Sequence, residues 1–137
     1  MKFFITIAGL SGAASVGLGA FAAHGLEKVL LKNGLDPADI PQRLEWAATA
    51  TQYLLVHAAA LLAAIAIANT VGPSKILTLA TGLIALGTFL FSGSLYALAF
   101  TGNSFFARVA PWGGSTLILA WLLIAVSGWV MTTNTDA

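Results

Sequence analysis

Two histidines, His24 and His57, are the side chains best suited to acid-base or ligand chemistry here, because the chain has no cysteine and only five Asp or Glu. His57 has the richer company. Tyr53 stands four residues before it and so on the same helical face, with Gln52 beside them at the rim. A hydroxyl one turn from an imidazole can fix its tautomer. Counted from the same membrane side, Ser15, Ser94 and either Ser115 or Thr116 fall at a similar depth. The segment Ser92-Gly93-Ser94-Leu95-Tyr96 adds Tyr96 as a further polar group. The functional reading is a small polar pocket lined by Tyr53, His57 and Ser94, with Ser15, Gln52 and Tyr96 as candidate contacts. In the structural reading the same groups bond one another or a backbone carbonyl, as polar side chains in helix bundles commonly do.

His24 lies in Phe21-Ala22-Ala23-His24-Gly25-Leu26, at the end of an apolar run. It is expected to cap the last helical carbonyls and favour the negative end of the dipole, with Gly25 as a left-handed cap. The two rings should differ in depth by about 10 Å or more, too much for one metal or one haem. No Asp, Glu or Cys lies within the apolar runs to supply a third ligand, so neither a metal nor a cofactor is expected. A Ser94–His57 hydrolytic dyad lacks an orienting acid and an evident oxyanion hole, so no catalytic residue is assigned.

These residues must be positioned by helices in lipid. Hydrophobic residues make up 58% and charged residues only 8% of the 137, with a mean hydropathy of +0.91, where a soluble globular chain carries about 25% charge. Phe3 to Leu26, Trp46 to Ser74, Ile76 to Ala107 and Val109 to Thr135 contain no charged residue. Each can hold the roughly 20 apolar residues that cross about 30 Å of hydrocarbon. Lipid excludes open strand edges, and the runs lack the alternation of a barrel. The fold class is therefore all-α, an integral membrane four-helix bundle forming one transmembrane domain over 1–137. The helices are expected near 3–23, 48–71, 76–100 and 109–131, with a polar loop at 25–45. A net charge of +1 gives no support to nucleic-acid binding. The lipid bilayer is the first partner.

The first run resembles a signal peptide, with Lys2 ahead of it and Ala20-Phe21-Ala22 near its end, but its length favours retention as a span. Gly9, Ala13 and Gly17 recur at four-residue spacing, with Gly12 beside them; such small residues let a neighbouring backbone come close. That stripe, with Gly93 on the third span, is expected to pack helices, first within this bundle. Asp36-Pro37 and Asp39-Ile40-Pro41 look like two helix starts, the second running on into the second span. Arg43 and Trp46 would sit at the lipid headgroups, and Gly72-Pro73-Ser74-Lys75 makes a tight turn. Lys2 and Lys75 fall on one side, and Lys28, Lys32, Arg43 and Arg108 on the other, which places the termini outside. No intramembrane carboxylate is present for proton antiport, and no second half repeats the first.

The segments Gly19-Ala20-Phe21-Ala22-Ala23-His24-Gly25-Leu26, Tyr53 through Ala58, Leu90-Phe91-Ser92-Gly93-Ser94-Leu95-Tyr96 and Pro111-Trp112-Gly113-Gly114 with Trp121 resemble the YgdD/YwdK family. These are small four-helix inner-membrane proteins of unknown function, relatives of mitochondrial transmembrane protein 256. Ala22, Trp112 and Ala120 depart from the family pattern at packing positions. The resemblance implies an uncleaved first helix, four spans and an inner-membrane home, and brings no activity, cofactor or catalytic residue. The leading expectation is a non-enzymatic multi-pass protein of the cell inner membrane that packs as a homo-oligomer or as part of a larger complex. The runner-up is a small binder or conduit for an apolar ligand such as a quinone or lipid, built around His57.

Overall fold

The computed structural model describes residues 2–72 and 74–133, and side chains as far as residue 130. Pro73 of the expected turn lies outside the described residues, as do residue 1 and 134–137 of the expected domain. Among the described residues the chain is helical and has no strand. Its elements are α1 (Lys2–His24), α2 (Leu26–Lys32), a 3-10 turn (Pro37–Asp39), α3 (Ile40–Val71), α4 (Lys75–Thr101) and α5 (Ser104–Thr133). Four of them, α1, α3, α4 and α5, are long and apolar enough to cross a membrane.

Each span packs mainly on a neighbour in the order α1, α3, α4, α5, while α1 and α5 share no comparable seam. The outer helix α1 is therefore held by one side. Two apolar clusters fill the bundle. One, toward the α2 end, centres on Leu26, Ala47, Ala50, Leu95, Leu98 and Ala99. The other, toward the chain termini, centres on Ala8, Leu61, Ala64, Leu77, Ile84 and Ala120.

The polar loop expected at 25–45 is mostly helical. Leu26 and Leu30 are buried while Glu27, Lys28 and Lys32 are exposed, so α2 is an amphipathic turn laid over the bundle end. The Asp36 side chain accepts from the Ala38 N–H and starts the 3-10 turn, with Pro37 in its first position. From Ile40 a single helix of 32 residues runs to Val71.

The expected Gly25 cap is corrected. Gly25 has φ −126°, and its N–H bonds Phe21 O at 2.7 Å, so α1 passes into α2 with one residue of interruption. The left-handed glycines are Gly34, Gly72 and Gly102. His24 is exposed and makes no side-chain hydrogen bond among the described residues. Gly102 ends α4 at φ 69° with its N–H on Leu98 O, and the Arg43 guanidinium lies directly against it. Arg43 Nη1 donates to the carbonyls of Leu98 (2.9 Å) and Ala99 (3.1 Å). A side chain expected to face headgroups thus turns inward and satisfies the negative end of a neighbouring helix, while keeping Trp46 at 5.7 Å.

The small-residue stripe is corrected as well. Gly9, Ala13 and Gly17 are exposed, and a Cβ built on Gly9, Gly12, Gly17 or Gly93 meets nothing within 4 Å. The close approaches are made by other glycines. A Cβ on Gly113 would collide with the backbone of Phe91, one on Gly87 would meet Leu117 Cγ at 2.9 Å, and one on Gly19 would meet Thr51 Cγ2 at 2.8 Å. The reason is rotational: α1 turns Ala8, Ser15 and Gly19 toward α3, which leaves the 9-13-17 face outward.

Gly113→Leu is therefore expected to destabilise the folded protein by about 2–4 kcal/mol through forced separation of α4 and α5. Gly9→Leu, which meets nothing within the chain, should leave the monomeric bundle at least as stable. Reversible unfolding in detergent mixtures distinguishes the two.

Candidate functional site

His57 stands at the junction between the two apolar clusters and is 5% exposed. Its Nδ1 lies 2.8 Å from the Tyr53 carbonyl oxygen, and its Nε2 lies 3.2 Å from Trp121 Nε1. The partners determine the proton's place. A carbonyl only accepts, so Nδ1 carries the hydrogen; an indole N–H only donates, so Nε2 presents its lone pair. Both ring nitrogens are consumed in the neutral Nδ1–H tautomer.

Tyr53 therefore fixes the imidazole through its backbone carbonyl, where its hydroxyl was expected to act. Its ring stacks on the imidazole at 5.7 Å and 16°, and packs on Phe91 at 4.5 Å. Trp121 crosses from α5 to reach α3, with its ring edge-on to His57 at 6.1 Å. A tryptophan on a lipid-crossing run reads from sequence as one more apolar residue. Only the side-chain direction, back toward the helix N-terminus, brings its N–H to the imidazole.

A second polar group sits nearer the α2 end. Ser15 Oγ donates to Thr51 O at 3.0 Å, and Thr51 Oγ1 donates to Ala47 O at 2.8 Å. With its one proton so used, Thr51 Oγ1 accepts from the Tyr96 hydroxyl at 2.7 Å. This stitches α1, α3 and α4 at one level. Thr51 was not among the expected site residues; its four-residue spacing from Ala47 permits the self-bond, but the link to Tyr96 joins residues 45 apart in sequence.

The single polar layer expected across four helices is thus two separate groups. Ser15 and Tyr96 belong to the Thr51 group, and Tyr53 and His57 to the Trp121 group. Ser94 is buried on α4 with no hydrogen bond to either. Ser115 and Thr116 bond back to Pro111 O and Trp112 O of their own helix. Gln52 is exposed beside Tyr53. Ser92 Oγ is buried without a hydrogen-bond partner among the described residues.

Beside His57, between α1, α3 and α4, lies a partly enclosed cavity of about 110 Å³ that reaches Ile7, Ser11, Ala58, Ala85, Thr88 and Phe89. Thr88 Oγ1 donates to Ile84 O at 2.6 Å, so its proton is engaged. Toward the termini the second apolar cluster closes the bundle behind the cavity, with Leu77 and Ile84 fully buried. Among the described residues no three His, Cys, Asp or Glu side chains gather as metal ligands.

The hydrogen bond across α3 and α5 is open to a direct measurement. In a His57→Phe and Trp121→Phe double-mutant cycle, unfolding free energies should reveal a coupling of about 0.6 to 1.7 kcal/mol, the range for interhelical bonds in lipid. A coupling near zero would place Trp121 elsewhere.

The family described as "Protein of unknown function (DUF423)" matches residues 18–114. The chain is 36% identical to the UPF0382 membrane protein YwdK of Bacillus subtilis, over 93% of this chain and 96% of that one. It is 35% identical to a UPF0382 membrane protein of Haemophilus influenzae, over 89% and 90% of the two chains. Against the UPF0382 inner membrane protein YgdD of Escherichia coli the identity is 34%, over 91% and 88%. No solved structure matches.

Proposed function

Because the chain belongs to the DUF423 family, whose relatives are named UPF0382 membrane proteins, we propose that this multi-pass inner-membrane protein is not an enzyme and acts through helix packing, as a homo-oligomer or an accessory subunit of a membrane complex. The state of His57 carries this reading. General acid-base work at this site would rest on that one histidine, and both its nitrogens are engaged by the protein's own Tyr53 carbonyl and Trp121 indole. Catalysis there would first require breaking the bond that joins α3 to α5. The imidazole acts as a structural tie.

The packing role is supported by α1. It is the least enclosed of the four spans, held along its α3 side, and it presents Gly9, Ala13 and Gly17 outward between Leu10 and Val16, which are 66% and 68% exposed. Helix association in lipid has no hydrophobic driving force and depends on close backbone approach, which an outward face of small residues permits. In this reading the partner is another transmembrane helix, from a second copy or from another subunit.

The native chain has no cysteine, so single cysteines report cleanly. Ala13→Cys in native membranes is expected to give an oxidative crosslink, to itself or to one other protein, whereas Leu122→Cys on the lipid-facing side of α5 should not. Ala13→Leu should shift the purified species to a monomer. A lone monomer for the unmodified chain, with no co-purifying protein and no crosslink at position 13, would refute the proposal.

A further inference from the structure

We propose that the cavity beside His57 is a lateral slot for one acyl chain of a bilayer phospholipid. This goes beyond the packing role and concerns a different face of α1. The slot's depth comes first. On α5 the exposed tryptophans Trp112 and Trp129, 75% and 77% exposed, stand about 25 Å apart along the helix, close to the thickness of a hydrocarbon layer flanked by aromatic belts. Leu117 faces Gly87 on α4, which puts the neighbouring Thr88 about 6 Å inside the Trp112 level. The slot therefore lies within the hydrocarbon, where the surrounding solvent is acyl chain.

Its size and lining then decide among apolar occupants. An apolar cavity of about 150 Å³ accepts benzene. At about 110 Å³ and open at its rim, this one seats a narrow flexible chain, end-on or side-on, more readily than a rigid quinone ring or sterol. Polar recognition is nearly absent. His57 has no free nitrogen, and the Thr88 proton is held by Ile84 O, which leaves the Ser11 hydroxyl as the one side chain of the lining able to donate. One hydroxyl does not orient a polar headgroup. The remaining wall is aliphatic, and Phe89, 75% exposed, forms an outer rim open to lipid. The second apolar cluster stops the slot toward the termini, so its contents do not cross the bundle.

The slot also adds to the packing of α1, which is held along its α3 side. Ile7 and Ser11 of α1 face Ala85 and Thr88 of α4 across it, so a chain seated there fills the gap that α1 and α4 leave open. The occupant is part of the packing of the outer helix.

Two measurements test this. Phe89 replaced by p-benzoyl-phenylalanine and irradiated in native membranes should give a phospholipid adduct linked through an acyl chain, identified by mass spectrometry. Capture of an isoprenoid quinone, capture of a protein, or absence of any adduct would overturn the proposal. In native mass spectrometry from mild detergent, a retained phospholipid should fall by roughly an order of magnitude in Ala85→Leu, whose added methylenes occupy the slot. Ser11→Leu fills it from the opposite wall and should do the same, which keeps the test decisive if either variant folds poorly. Ala63→Leu, on the exposed face of α3, should retain lipid as the unmodified chain does. Equal retention in the slot-filling and control variants would refute the slot, and the crosslinking behaviour at position 13 is independent of it.

Discussion

The structure depends on one constraint: in hydrocarbon a polar group finds its partner inside the protein or pays the full cost of desolvation. Some polar side chains within the spans therefore join helices, while others, such as Ser115 and Thr116, bond back to their own helix. His57 links α3 to α5 through Trp121, and Thr51 links α3 to both α1 and α4 through Ser15 and Tyr96. Arg43 extends the same logic to the bundle end, where it donates to the Leu98 and Ala99 carbonyls of the last turn of α4.

These ties matter because apolar packing alone specifies little among helices that are apolar all round. The low amphipathic contrast of such spans leaves their rotation undetermined, and a donor and acceptor at matching depth supplies the missing angular reference. Once the Tyr53, His57 and Trp121 contacts set α3 and α5, glycines at the α4–α5 seam let the backbones close. Gly113 lies under Phe91 and Gly87 under Leu117 because no Cβ intervenes at either point.

The same constraint separates chemistry from architecture at His57. An intramembrane histidine invites a functional reading. Here a carbonyl and an indole take up its proton and its lone pair, and the adjoining cavity is mostly apolar, with the Ser11 and Thr88 hydroxyls in its lining. The arrangement joins α3 to α5 through the imidazole ring.

From the sequence alone came the solvent, the fold class and the spans, because four uncharged runs of sufficient length have only one economical form in lipid. The helix start at Asp36-Pro37, the long helix from Ile40, and the proximity of Tyr53 to His57 were legible too, since they rest on spacings of four residues or fewer. Helix rotation was not. Gly9, Ala13 and Gly17 form a stripe in sequence, but which way it faces depends on where α3 lies, and it faces outward. Nor could local spacing pair His57 with Trp121 or Thr51 with Tyr96, because those bonds join residues 64 and 45 apart whose meeting follows from side-chain direction and relative helix depth. Local chemistry determined what each helix is; only the tertiary packing decided which of its faces carries meaning.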